Sequence, residues 1–441
     1  MNKPIEIKLL DLSPQEFVQF LKERNIYRFF FVYDEKIERL SSSHRLLQPI
    51  ADFIQTDQRD FMEHEGLFFQ LSQRYDTLQG VFVHSTKRGQ AIGGVRFWHY
   101  DTVEDYIRDG LRLSKGMTRK NSLAGLWWGG GKGVMAMNPS VDKTKKEVLA
   151  SIYGDFGEML TSLRGCFVAG EDVGTNVDDI ANVFCNTRFT TCIPKVLGGS
   201  GNPSILTAKG VICGMKAGLK FTGDDSLKGK TIAVQGMGNV GGALIRFLFE
   251  ENVRKVIATD IDRELVEHLV HELSHENLEA SIVERDDDSI LKVSCDILAP
   301  CATGAILCPR TIANIKAKII CGSANNQLQD PERDDLLLYE KGIIYIPDFI
   351  TNRMGIVNCA NEQYGFVKDD PFIERHLSTD WVHSIYQTSL NILQSSLTTS
   401  EPPAKIAMRE ADRLSLNTHP IFGHRGRQII DSLVNNRWHE T

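Results

Sequence analysis

The stretch from Thr231 to Asp260 leaves the chain the least freedom. TIAVQ is a β run, Gly236, Gly238 and Gly241 of GMGNVG follow at once, ALIRFLFEE carries on as a helix, and KVIATD makes a second strand ending at Asp260. Spaced glycines alone are a weak signal. Strand, glycine turn, helix and terminal acid in this order form the dinucleotide-binding fingerprint. The turn, with Asn239 and Val240 opening the helix, offers free amides and the positive end of the helix dipole to a pyrophosphate. Asp260 is placed to accept from a ribose 2′-OH and to repel a 2′-phosphate, so NAD is expected rather than NADP. A nucleoside-binding methyltransferase is the rival reading of the same pattern. Further β runs at CDILAP, AKIICGSA and GIIYIP complete an open parallel sheet.

A chain of 441 residues has room for a second domain beside this one. Its formal net charge of -7 argues against a nucleic-acid or anionic-membrane partner, which needs a basic face. Its nine cysteines form no C-x-x-C pair, so neither a disulfide framework nor a zinc knuckle is indicated and a reducing, cytoplasmic compartment is expected. The N-terminal run MNKPIEIKLLDLSPQEF has early acids and no apolar core, which disfavours a secretory or transit signal. No apolar run is long enough to span a membrane. HELSH at His271–His275 matches a zinc-protease pattern. Helical periodicity sets His268, His271 and His275 opposite the apolar Leu265, Val266, Leu269, Val270 and Leu273, on a solvated face, so no metal is expected.

Chemistry is expected upstream, at KNSLAGLWWGGGKG, where Lys120 and Lys132 flank a run of glycines. A phosphate loop is excluded, because the first glycine and the following Ser or Thr of that pattern are replaced by Leu126 and Gly133. The glycines read as a loop that permits φ > 0 and close approach of a ligand. Apolar neighbours and a second cation lower the pKa of Lys132 toward that of a general base. A structural turn carrying an exposed lysine is the plainer alternative. Ser13 to Glu16 reads as a capping box, RFFFVYD as a short buried strand or an interface patch, and Thr102 as the start of an amphipathic helix that ends near Lys120. In GEDVGT, Asp172 is either ordinary turn chemistry or a carboxylate at the mouth of a cleft.

With GGVRFW, LRLSKGMTRK, GLWWGGGKG, GEDVGT, GNPSILTAKGV, AVQGMGNVG, DILAPCATGA, GSANNQL and GIVNCANE in one order, the chain resembles the glutamate/leucine/phenylalanine/valine dehydrogenase family from about Ala91 onward. The resemblance implies NAD-dependent oxidative deamination of an L-amino acid to a 2-oxo acid and ammonia, by a homo-oligomer. Lys120 looks like the lysine that meets the substrate α-carboxylate, Lys132 like the one that activates water, and Asp172 like the aspartate that exchanges protons with the amino group. Thr207 and Ala299 join the cofactor set, with Asn325 or Asn326 near the nicotinamide ribose and the substrate amine.

Glutamate-acting members carry a lysine immediately before the Gly-Gly-x-Arg motif, where this chain has Ile92, and a serine where it has Cys359. A buried carboxylate without a cation is costly, so Ile92, Gly93, Met117, Gly170, Ile356 and Cys359 imply a pocket for a branched or aromatic side chain. The family's usual Asn-Ala-Gly-Gly is replaced by Asn352, Arg353, Met354 and Gly355, whose bulk is expected to narrow the pocket or disturb its backbone. Trp127 and Trp128 are larger than the family's usual residues there. The expected fold is α/β: an α/β substrate and oligomerisation domain and a Rossmann-type parallel-sheet NAD domain, with a cleft between. The divisions are 1–65 as an N-terminal extension of unknown role, 66–200 for substrate, 201–394 for NAD, and 395–441 as helices returning to the substrate domain. A catalytically silent NAD-binding or regulatory protein is the competing class, and glutamate the alternative substrate.

Overall fold

The computed structural model describes residues 8–441. The first seven residues, which begin the stretch read above for a leader, lie outside the described residues. Helices α1 (Pro14–Lys22), α2 (Gln48–Thr56), α3 (Val103–Leu123), α4 (Lys146–Ser162) and α5 (Val177–Phe184) occur in the first part. They are followed by α6 (Ser204–Phe221), α7 (Asn239–Glu250), α8 (Arg263–Leu273), α9 (Pro309–Ile312), α10 (Pro331–Glu340) and α11 (Asp348–Thr351). The chain closes with α12 (Met354–Glu362), α13 (Pro371–Leu377), α14 (Ile385–Thr399), α15 (Pro403–Ser415) and α16 (Arg425–Asn435). Two expected helix starts are built as read. Ser13 and Glu16 form the capping box of α1, and the Thr102 side chain accepts from the Asp105 amide at the start of α3.

The first sheet contains β1 (Arg28–Asp34), β2 (Arg39–Ser42), β3 (Gly66–Leu71), β4 (Leu78–Ser85), β5 (Ala91–Trp98), β6 (Gly129–Ala136) and β7 (Phe167–Glu171). Its order is β2-β1-β3-β4-β6-β5-β7. Strand alternation sends Phe29 and Phe31 into a core with Phe17, Ile50, Tyr106 and Leu111 of α1, α2 and α3. Phe30 and Val32 enter the opposite core with Ile152 and Phe156 of α4 and Ile430 and Leu433 of α16. RFFFVYD is thus a buried strand, covered on both faces. β1 pairs directly with β3, so residues before 66 are built into this sheet.

The second sheet, β8 (Thr231–Gln235), β9 (Lys255–Asp260), β10 (Leu278–Ile282), β11 (Ile297–Pro300), β12 (Ile319–Ile320) and β13 (Ile344–Tyr345), runs in the order β10-β9-β8-β11-β12-β13. Every pairing in it is parallel. The order reverses direction between β8 and β11, and ligands of such sheets bind in the crevice beyond the strand ends at that reversal. Among the described residues, no helix is long and apolar enough to cross a membrane. α8 ends at Leu273 with Ser274 left-handed at φ 44°, so His271 and His275 do not share a helix face. His275 instead stacks on Phe249 at 3.7 Å between ring centres.

Three sets of contacts tie α3 and the segment after β7 to helices that follow the second sheet, two of them made by residues at the ends of α12. Glu362, at its end, accepts from the amides of Cys192 at 2.7 Å and Ile193 at 3.0 Å and from the Ser200 hydroxyl at 2.8 Å, fixing the link that leaves the first sheet. Arg353, just before α12, donates to the Leu123 carbonyl that ends α3 at 3.2 Å, to Thr388 Oγ1 of α14 at 3.3 Å, and to the His383 carbonyl. α15 returns to α3, where Ser122 Oγ donates to the Ala411 carbonyl at 2.7 Å and Arg119 pairs with Asp412 at 2.7 Å.

Candidate active site

The glycines before Lys132 do not form a loop. They are the first half of β6, inserted between β4 and β5, and none of Gly129, Gly130 and Gly131 has a positive φ. Close packing is what requires them. A Cβ on Gly130 would lie 2.1 Å from the Thr118 amide of α3, one on Gly129 2.1 Å from the Ser85 carbonyl, and one on Gly93 1.9 Å from the Gly131 carbonyl. The helix carrying Lys120 therefore lies against the strand carrying Lys132. Gly130→Ala should force α3 away, with a loss of about 3 kcal/mol of stability on denaturant unfolding, at the upper end for overpacking because backbone must move. An unchanged unfolding midpoint would contradict this packing.

Lys132 is 4% exposed, and its Nζ lies 3.0 Å from Asp172 Oδ2, at the end of β7. Burial pushes its ammonium below the ordinary lysine value, Arg96 pushes the same way, and Asp172 opposes without cancelling them. Burial alone would raise the Asp172 carboxyl, but Lys132 and Arg96 together hold it below its ordinary value. Lys120 is half-buried with Nζ 3.5 Å from Asn325 Oδ1, across from the second sheet. Burial lowers it too, Asp348 pulls it back up, and the Lys132 charge adds to the lowering.

The residues expected to line the side-chain pocket converge. Ile92, Ile356 and Cys359 share one buried cluster, with Met117 packed against it. A Cβ on Gly170 would stand 3.8 Å from Cys359 Sγ, and Gly93 lies beside Met117. Sequence reading missed Cys192, whose Sγ is 2.9 Å from Cys359 Sγ. It also missed Arg96 and Asp109, although strand alternation from Ile92 places Arg96 on the face of β5 that meets Lys132. Arg353 requires a correction: it is fully buried and turned toward α3 and α14, away from the pocket. Met354 also points inward, against Gly210 of α6. Trp128 is core at 4% exposure, whereas Trp127 is partly exposed beneath the Arg88 guanidinium.

The nucleotide half fits a dinucleotide. Gly236 is left-handed at φ 91°, a Cβ on Gly241 would strike the Gly236 carbonyl at 2.0 Å, and space around Gly238 is open. Gly238 caps α7 without a side-chain partner, leaving the amides of its first turn, with Asn239 and Val240, free for a pyrophosphate. Asp260 Oδ2 accepts from the Met237 amide at 2.6 Å, so this carboxylate also secures the turn. Ala299 is fully buried within the sheet, and the residue standing against Gly236 is Ala302. Thr207 sits at the start of α6, its Oγ1 donating to the Pro203 carbonyl at 3.1 Å. Of the paired asparagines, Asn325 reaches Lys120, while Asn326 is left-handed at φ 52° and gives its amide to Asp348 at 3.0 Å.

A glycine turn opening a helix at the reversal of a parallel sheet, together with a buried lysine–aspartate pair on a second sheet, matches the plan of a two-domain dehydrogenase that uses a nicotinamide cofactor. The chain belongs to the glutamate/leucine/phenylalanine/valine dehydrogenase family: residues 69–189 match its dimerisation domain and residues 198–399 its dehydrogenase domain. It is 42% identical to a leucine dehydrogenase of Bacillus cereus, over 74% of this chain and 88% of that one. It is 35% identical to a phenylalanine dehydrogenase of Lysinibacillus sphaericus, over 83% and 92% respectively. Its fold is similar to the crystal structure of L-tryptophan dehydrogenase from Nostoc punctiforme, with a TM-score of 0.65 and 32% identity over 80% of this chain and 96% of that one.

Proposed function

We propose that the cleft carries out NAD-dependent oxidative deamination of an apolar L-amino acid, branched-chain or aromatic, to its 2-oxo acid and ammonia, and the reverse. The observation that carries this is the Lys132–Asp172 pair at 3.0 Å, buried between Lys120 and an apolar cluster. When bound, the nicotinamide accepts hydride from the substrate Cα. Lys120 binds the substrate α-carboxylate and thereby orients the amino group. Neutral Lys132 Nζ takes a proton from the water that adds to the iminium carbon, and Asp172 exchanges protons with the departing nitrogen. Gly236, Gly238 and Gly241 hold the pyrophosphate and Asp260 the adenosine ribose. Ile92, Met117, Ile356 and Cys359 offer the side chain no cation, which argues against glutamate. A silent nucleotide-binding protein is not favoured, given the named dehydrogenase relatives and the intact pair.

Residues up to 200 form the substrate half in this reading, 201–394 the NAD half, and the last helices return to the first. The dimerisation-domain match supports a homo-oligomer, and cysteines that are all free support a reducing, cytoplasmic setting. The test is a panel of L-amino acids with NAD at alkaline pH, followed by NADH absorbance. Leucine, valine, phenylalanine or tryptophan should be turned over, with kcat/KM for glutamate lower by at least about 100-fold, the effect of burying an unpaired carboxylate. Equal or better turnover of glutamate would reverse the substrate assignment, and silence throughout would remove the activity.

A further inference from the structure

Behind the Lys132–Asp172 pair lies a chain of charges that none of the proton transfers from Lys132 and Asp172 uses. Arg96, on β5, has Nε 3.1 Å from Asp172 Oδ2, the same oxygen that meets Lys132. Its other arm reaches Asp109 Oδ2 at 2.9 Å. Asp109 is in turn held by the Tyr100 hydroxyl, which donates to the same oxygen at 2.8 Å, and by Arg112, which donates to Oδ1 at 2.7 Å. Asp109 and Lys120 both belong to α3, separated by about three turns, so one face of the helix presents both to the site. Beyond Arg96 opens a cavity of about 640 Å³ lined by Tyr100, Asp109, Arg112 and Val173 among others.

We propose that Arg96, locked in place by Asp109, is a positioning residue that pins one carboxylate oxygen of Asp172 and so fixes the orientation and charge state of the Asp172–Lys132 pair. The geometry supports this in three ways. First, Asp172 Oδ2 is shared by two cations on adjacent strands, and neither of them hydrogen-bonds to Oδ1. Oδ1 is therefore the oxygen available for the substrate nitrogen. Second, a planar guanidinium forked between two carboxylates fixes direction in a way that a lysine's point charge does not. Third, charges alternate from Lys132 through Asp172, Arg96 and Asp109 to Arg112, so Arg96 sits beside Lys132 with its own counter-ion. This inference rests on the proton-carrying roles proposed above for Asp172 and Lys132.

The groups facing the pair are Arg96 from β5, Lys120 and Asp109 from α3, Glu171 beside Asp172 on β7, and Asp348 near Lys120. Burial holds Glu171 at about 7, so it adds a titration of its own near neutrality. Arg96 lowers both Asp172 and Lys132. Its removal should raise both, and deprotonated forms of both are needed for deamination. The acid limb of the pH profile should therefore move to higher pH.

The experiment measures kcat/KM for amino-acid oxidation against pH in the full chain for the wild type, Arg96→Gln, Arg96→Lys and Asp109→Asn. Arg96→Gln should move the acid limb up by about one pH unit and lower kcat about tenfold or more, within the range attributed to a misplaced proton carrier, while KM for NAD changes little. Arg96→Lys should restore the limb but not the full kcat. Asp109→Asn, which touches Arg96 and not Asp172, should shift the limb in the same direction by less, and it keeps the test open if Arg96→Gln does not fold. Loss of rate at every pH with an unmoved limb would reduce Arg96 to a structural role and overturn the inference. Wild-type silence with all amino acids would instead overturn the function proposed above, and this inference with it.

Discussion

Lys132→Ala is expected to lower kcat for oxidative deamination by about 10³–10⁴-fold, the upper range for loss of a general base, with NADH binding unchanged in a fluorescence titration. The two readouts separate because Lys132 lies on β6 of the first sheet, whereas the glycine turn proposed for the pyrophosphate follows β8 in the second. The fold should survive. Alanine suits a strand whose other residues are glycine, valine, methionine and Ala136, and Asp172 keeps Arg96 as its cation at 3.1 Å. Burial holds the Lys132 ammonium below the usual lysine value, so wild-type rate should rise with pH as the amine loses its proton. The variant's residual rate should lose that limb. A small exogenous amine, filling the space left by the side chain, should recover part of the rate. Full turnover by Lys132→Ala would remove the lysine from the chemistry and leave Asp172 to carry protons alone.

Legibility in the sequence followed the range of the interactions. The β8–α7–β9 unit was readable because each part of its signal is local: a β run, glycines whose spacing is set by the turn, and an acid closing the next strand. The GGGKG segment misled because glycine clusters ordinarily mark loops, whereas here Gly129, Gly130 and Gly131 make room for Ser85, Thr118 and Phe167, neighbours identifiable only once the sheet and α3 are assembled. Arg96 lay within the GGVRFW motif, yet its partners Asp109 and Asp172 come from a different helix and a different strand. Arg353 looked like pocket bulk by position alone. Its orientation depends on the uncapped carbonyl at the end of α3, which offers a guanidinium the negative end of a helix dipole. Ala299 is fully buried within β11, and the residue that stands against Gly236 is Ala302, just past that strand, a neighbour that only the folded turn brings in.

Asp260→Asn is the second large effect expected, and it acts on the choice of cofactor. In the wild type the Asp260 carboxylate would face the 2′-phosphate of NADP. A like-charge contact costs several kcal/mol, so about 3 kcal/mol predicts a preference for NAD of about 100-fold or more in kcat/KM. The carboxylate has a second task, because its Oδ2 accepts from the Met237 amide at 2.6 Å and its Oδ1 from the Asp262 amide at 3.0 Å. A truncation such as Asp260→Ala would release the glycine turn and weaken both cofactors, hiding the charge effect under a structural one. Asparagine keeps one carbonyl oxygen for the Met237 amide and removes the charge. The NAD:NADP ratio should then fall to about tenfold or less, mainly through a lower KM for NADP, while kcat with NAD stays within about threefold of the wild type. A ratio unchanged by Asp260→Asn would mean that selectivity resides elsewhere in the cleft, with Asp260 confined to securing the turn.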